Sequence, residues 1–160
     1  MSLHTRLLVI GTVLAVALPA VAAAQATDGM FGTWVMNVAK SSNSTGKMGH
    51  GEIRIFQAVP NGYHSERAWI GADGIARASS GTVLYDGKFH ASSSATGDSS
   101  KAARVDANTV KTQNWDGTRR KLANACTRVV AAGGKTMTST CTGTDSLGKP
   151  TKSVGVYDKK

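Results

Sequence analysis

The sequence predicts an all-β domain of about eight to ten antiparallel strands, closed into an up-and-down barrel and preceded by a helical signal peptide. A β-sandwich is the other arrangement open to the same strands. Three observations carry this expectation. Turn dipeptides recur at Asn61-Gly62, Asp73-Gly74, Asp86-Gly87, Asp116-Gly117 and Gly133-Gly134, and these residues tolerate the positive φ of tight hairpins. The segments between them have strand length, and none sustains helical periodicity. A long run of hairpins leaves unpaired edges unless it closes on itself, which favours the barrel.

The chain begins with a short basic stretch, Met1 to Arg6, followed by the apolar Leu7 to Leu18 and the small residues Ala22-Ala23-Ala24. This pattern is a secretory signal peptide over residues 1–24. The apolar run is shorter than the ~20 residues a spanning helix needs, and Pro19 interrupts it. The mature protein is then a single domain over residues 25–160, periplasmic or secreted, without a transmembrane segment. Arg6 is the only charged residue lost with the leader, so the net charge of +9 falls to +8. Its one cluster is Arg119-Arg120-Lys121, more consistent with a solvated strand face than with a nucleic-acid site, and no nucleic-acid partner is expected. The excess remains compatible with contact to an anionic envelope surface.

The mature region holds only 20 Leu, Ile, Val and Phe residues, few enough that order has to come from more than a large core. Its strands read in sequence as follows. "GEIRIFQAV" alternates Ile53, Ile55 and Val59 with Arg54, and "YHSERAWI", "GTVLY", "NTVKTQNW", "KLANACTRVV", "KTMTSTCTG" and "KSVGVY" succeed it. Pro60 and Pro150 fall at strand edges, where a missing N–H does least harm, and Ala39 to His50 is the one long polar loop. In "KTMTSTCTGT" the threonines 136, 138, 140, 142 and 144 share one parity, the pattern of a solvated outer face. An ice-binding row would need flat neighbouring rows that a single twisted strand lacks.

Cys126 and Cys141 each lie seven residues from the nearer glycine of Gly133-Gly134. With a four-residue loop, Ala132 to Lys135, they face each other at a non-hydrogen-bonded pair, where the closer spacing suits a bridge. A three-residue loop with a bulge would shift that register. Export favours the oxidised form.

Chemistry-bearing motifs are scarce. His50, His64 and His90 lie in separate segments without metal-ligand spacing, so no metal is expected; no phosphate-cradling glycine loop precedes a helix, and no cofactor is expected. The serines, including Ser92-Ser93-Ser94, lie in no nucleophile elbow, and Glu52 and Glu66 are the only glutamates. "YHSERAWI" offers the best interior set, because Tyr63, Ser65, Arg67 and Trp69 share a parity that combines aromatic surface with a cation. The opposite orientation would turn His64, Glu66, Ala68 and Ile70 inward. Trp115 with Gln113 and Lys111, and Arg128 with Asn124, pose the same question, since parity defines faces without saying which is inner.

At "FGTWVMN" the sequence resembles the calycins, the lipocalins, fatty-acid-binding proteins and avidins, whose first strand commonly begins Gly-x-Trp. The long loop after that strand and the meander beyond it follow the same plan. "GTWVMNVAKS", "RVVAAGGKTMTSTCTGT" and "VGVYDKK" are also similar to small uncharacterised bacterial exported proteins expected to share the barrel. The resemblance implies a lipocalin-like barrel in which Gly32 and Trp34 sit at the closed end, with Trp34 under an arginine from a later strand, Arg128, Arg119 or Arg120. The sequence departs from the fatty-acid-binding pattern in the last strand, where Gly155 rather than arginine stands two before Tyr157, and the avidin biotin-contact pattern is not recognisable after Trp34.

The expected function is non-enzymatic: an exported protein that binds or carries a small, apolar or amphipathic, lipid-like molecule, contacted by Tyr63, Arg67, Trp69, Trp115 and Arg128. Two alternatives stay open, an isomerase or cyclase on the same barrel, and an envelope interaction module using its basic surface.

Overall fold

A computed structural model of the chain describes residues 29–93, 98–145 and 147–160. The expected leader and Ser94 lie outside these residues. Among the described residues there are eleven strands: β1 (Gly32–Met36), β2 (Ser42–Asn43), β3 (Gly51–Val59), β4 (Gly62–Ile70), β5 (Ala76–Leu84), β6 (His90–Ala91), β7 (Ser99–Arg104), β8 (Thr109–Asp116), β9 (Lys121–Val130), β10 (Thr136–Thr144) and β11 (Pro150–Lys159). One 3-10 turn, Val38–Lys40, follows β1. The short β2 falls within the expected polar loop and pairs with β11.

The strands form one sheet in the order β5-β4-β3-β1-β11-β10-β9-β8-β7-β6, with every pairing antiparallel. The first strand is thus inserted between β3 and the last strand. The two ends of the sheet then meet: Ser93 N donates to Ser80 O at 2.7 Å, and Ser80 N donates to Ser93 Oγ at 2.9 Å. The sheet is a nearly closed barrel rather than a sandwich.

Register decides which face is inner, because directly opposed residues in an antiparallel pair share a face. Trp34 is fully buried, it opposes Arg54, Arg54 opposes Arg67, and Arg67 opposes Ser79. Burying one tryptophan therefore turns Glu52, Arg54 and Phe56 of β3 inward, along with Tyr63, Ser65, Arg67 and Trp69 of β4. The isoleucines of β3 point out, and Ile53 is 46% exposed. The threonine face of β10 is likewise outer, while Met137 and Ser139 on the other parity are buried.

The hairpin between β3 and β4 shows how local geometry fixes this. Val59 pairs with Gly62, leaving Pro60 and Asn61 as a two-residue loop in which Asn61 takes φ 55°. Gly62 lies so close to β5 that a Cβ there would stand 2.3 Å from the Val83 carbonyl oxygen. A β carbon cannot be accommodated without moving that strand.

The apolar core fills one end of the barrel. Met30, Trp34, Phe56, Val110 and Met137 are its most deeply buried side chains, and Phe56 meets Tyr63 edge to face at 5.5 Å. The Trp34 indole N–H donates to Met30 O at 2.7 Å, which satisfies the one polar atom of that ring. The cation over the ring is Lys159 Nζ, 5.1 Å from its centroid, rather than an arginine of a late strand. Trp34 pairs directly with Lys159, whereas Arg119 and Arg120 lie in the turn before β9, away from the end where that strand contributes Val130 to the core.

Cys126 and Cys141 are directly opposed on β9 and β10 and form a disulfide, with Cα atoms 4.0 Å apart. Ala131 N donates to Thr136 O at 2.8 Å, so the loop between the strands comprises the four residues 132–135.

Candidate functional site

Beyond the core the barrel interior is open, forming a cavity of about 1010 Å³. Tyr63, Val83 and Tyr157 belong both to the packed end and to the cavity lining, and so form its floor. Just above them is a buried ionic cluster in which Arg67, expected inside from the sequence, meets Glu52, which holds Arg54 and Tyr157 as well. Glu52 Oε1 accepts from Arg54 Nε and from the Tyr157 hydroxyl at 2.8 Å; Glu52 Oε2 accepts from an Arg67 terminal nitrogen at 2.5 Å. Burial pushes the Glu52 carboxyl up, but the charges of Arg54 and Arg67 and the hydrogen bonds from Arg67 and Tyr157 outweigh it and hold the group at about 2. Burial also raises the Tyr157 phenol, while burial and the adjacent Arg54 charge pull Arg67 below the ordinary guanidinium range.

Local packing explains the Tyr157 position. The space that a side chain at 155 would occupy is filled by the tyrosine ring: a Cβ on Gly155 would stand 2.9 Å from Tyr157 Cε2 and 3.0 Å from its hydroxyl. Arg54 of β3, across β1 from the last strand, lies 5.6 Å over the Tyr157 ring.

Of the residues expected from the sequence, Tyr63, Arg67, Trp69 and Arg128 all face this interior. Arg67 lies 4.0 Å over the Trp69 ring while holding Glu52. Arg128 is only 7% exposed and 5.6 Å over the Phe56 ring. Its terminal nitrogen has one long contact, 3.5 Å to the Tyr63 hydroxyl, and its buried Nε has no hydrogen-bond partner. Trp115 is placed differently. It follows a register shift between Asn114 and Trp115, is about one-third exposed, and packs edge-on against Phe89 at 6.3 Å, so it touches the cavity at the rim. Gly32 takes φ 120° beside Lys159 at the packed end.

Near the floor, then, three arginines face a single carboxylate, and Arg128 has no ion-pair partner among the described residues. Glu52 and Arg54 escape a period-2 reading because Ile53 and Ile55 suggest the opposite face. The usable signal is the hairpin, whose register sets Arg54 against Arg67 and so calls for an anion on the same face.

The nearly closed antiparallel path, its internal cavity and the packed tryptophan at one end define an antiparallel β-barrel with an open interior. No family model and no curated protein matches the chain. Among solved structures, zebrafish ileal bile acid-binding protein complexed with cholic acid is similar with a TM-score of 0.49 and 9% sequence identity, over 82% of this chain and 99% of that one. No helix among the described residues is long and apolar enough to cross a membrane.

Proposed function

We propose that this protein is an exported, non-enzymatic carrier whose barrel cavity holds a small molecule bearing an anionic group. The observation that carries the reading is Arg128. A guanidinium buried without a counter-charge loses hydration that one long hydrogen bond and an aromatic face return only in part. An anion in the cavity beside Arg128 and the Tyr63 hydroxyl would supply the missing partner. Glu52 cannot take that part, since its oxygens already receive Arg54, Arg67 and Tyr157. With its carboxyl held at about 2 it is also a poor general acid or base at neutral pH, which supports binding over catalysis. The basic-apolar-small pattern of residues 1–24 supports export.

Native mass spectrometry of protein secreted by its own host tests the carrier reading. The wild type should retain an anionic molecule, recovered on extraction, and Arg128→Leu should emerge empty. An empty wild type, or a variant holding the same molecule at equal occupancy, overturns it. N-terminal sequencing of the secreted protein should begin at Gln25 or Thr27; an intact leader would refute export by this route.

A further inference from the structure

The cavity wall constrains the rest of the ligand as strongly as Arg128 constrains its charge. Above the floor, inward positions on six strands are occupied by small polar residues: Ser65 on β4, Ser79 on β5, Ser100 on β7, Asn114 on β8, Asn124 on β9 and Ser153 on β11. On one side they form a connected row, in which Ser100 Oγ donates to Asn114 Oδ1 at 2.8 Å and Asn114 Nδ2 donates to Asn124 Oδ1 at 2.5 Å. On the other side, the hydroxyls of Ser65, Ser79 and Ser153 line the cavity without a side-chain hydrogen bond to any described residue. Of the large aliphatic side chains, Met36, Met48, Ile70, Val83 and Val154 also contribute to the cavity lining, while others lie elsewhere. Ile53, Leu122 and Val129 are exposed on the outer surface, and Val110, Val130 and Met137 are packed in the closed end.

A hydrocarbon chain laid against this wall would strip water from hydroxyls and amides and return no hydrogen bonds, whereas a ligand carrying its own hydroxyls would exchange one set for another. The net positive floor adds one requirement, an anionic group. Resting on the carrier reading, we infer that the cavity is a site for a polyhydroxylated acid of the sugar-acid class, with its carboxylate at Arg128 and its hydroxyl-bearing body against the Ser65, Ser79 and Ser153 wall. This assigns the ligand body a chemistry distinct from the lipid-like molecule that the barrel type alone suggests.

Isothermal titration of the mature protein with two monocarboxylates of opposite body separates the cases: an aldobiouronic acid, a disaccharide with one carboxylate, and laurate. The aldobiouronic acid should bind at least about tenfold more tightly than laurate, a difference of the size expected when polar site groups are left unpaired by the wrong ligand. Ser65→Ala with Ser79→Ala should weaken the aldobiouronic acid about tenfold or more and leave laurate unchanged, while circular dichroism verifies the fold. Arg128→Leu should weaken both. Tighter Arg128-dependent binding of laurate, or aldobiouronic acid binding indifferent to the two serines, would overturn the sugar-acid assignment and leave the anion carrier standing. Failure of both acids to bind would overturn the assignment together with the carrier reading on which it rests.

Discussion

Replacing Glu52 by glutamine removes the only negative charge in the buried cluster while keeping the volume and one carbonyl acceptor. Its carboxyl is held at about 2 in the folded protein against an ordinary 4.5. At about 1.4 kcal/mol per pH unit, that difference corresponds to about 3 kcal/mol of stability at neutral pH. The group is only 6% exposed, so solvent screening does not erode this figure. The variant also leaves Arg54 and Arg67 facing each other without a counter-ion, which places its cost within the range of about 3–5 kcal/mol seen when one partner of a buried pair is removed. A depressed carboxyl stabilises the fold fully above pH 4.5, and the contribution drains away as pH falls through 4.5 towards 2. Glutamine has no such titration, so urea-denaturation curves followed by tryptophan fluorescence should lie about 3 kcal/mol apart at pH 7 and converge near pH 2. Asp73, Asp86 and Asp106 also titrate low in the fold, but they are common to both proteins and cancel in the difference. A gap below about 1 kcal/mol at pH 7, or one constant between pH 5 and 2.5, would refute the role given to Glu52.

Three other perturbations probe different layers of the fold. Trp34→Phe deletes the donor that satisfies Met30 O and leaves a void at the closed end, and should cost about 2–4 kcal/mol in denaturant titration; a cost under about 1 would show that the indole does not close the barrel. Gly155→Ala forces the Tyr157 ring away from its place against the backbone, and should destabilise by about 1–3 kcal/mol and shift the Tyr157 phenol titration towards its ordinary range; an unshifted titration would mean the ring had not moved. Reducing Cys126–Cys141 reopens a loop of sequence separation 15 and should remove about 3 kcal/mol, and alkylation should add two labels only after reduction; labelling of unreduced exported protein would refute the bridge.

What the sequence discloses depends on whether a feature is local. Hairpins are legible because Asn61, Gly74, Gly87 and Gly133 carry the positive φ that their turns need. The disulfide follows from the same local arithmetic, since one loop length fixes the pairing of Cys126 with Cys141. The ionic cluster is harder to read because it joins β3, β4 and β11 and because the apolar half of "GEIRIF" is the outer half. Only the chain of pairings from Trp34 to Arg54 to Arg67 settles that face. Lys159 is hidden for a related reason: its place over Trp34 depends on β11 lying beside β1, a contact between strands over a hundred residues apart.

The same geometry accounts for the low content of large aliphatic residues. In a barrel packed throughout, period-2 alternation would need an apolar residue at each inward position, and the 20 Leu, Ile, Val and Phe residues at positions 25–160 would be too few. Here apolar packing is concentrated at one end, while inward positions towards the other carry serine, asparagine and arginine around an open cavity. That half gains little from hydrophobic burial, so its strands need other ties. The Cys126–Cys141 bridge joins β9 to β10, and Glu52 draws β3, β4 and β11 together through Arg54, Arg67 and Tyr157. Removing either tie should therefore loosen the cavity half before the tryptophan end. Hydrogen exchange would register this as faster exchange in the Asn114–Asn124 row than around Trp34 and Met137, and equal acceleration at both ends would contradict this division of the barrel.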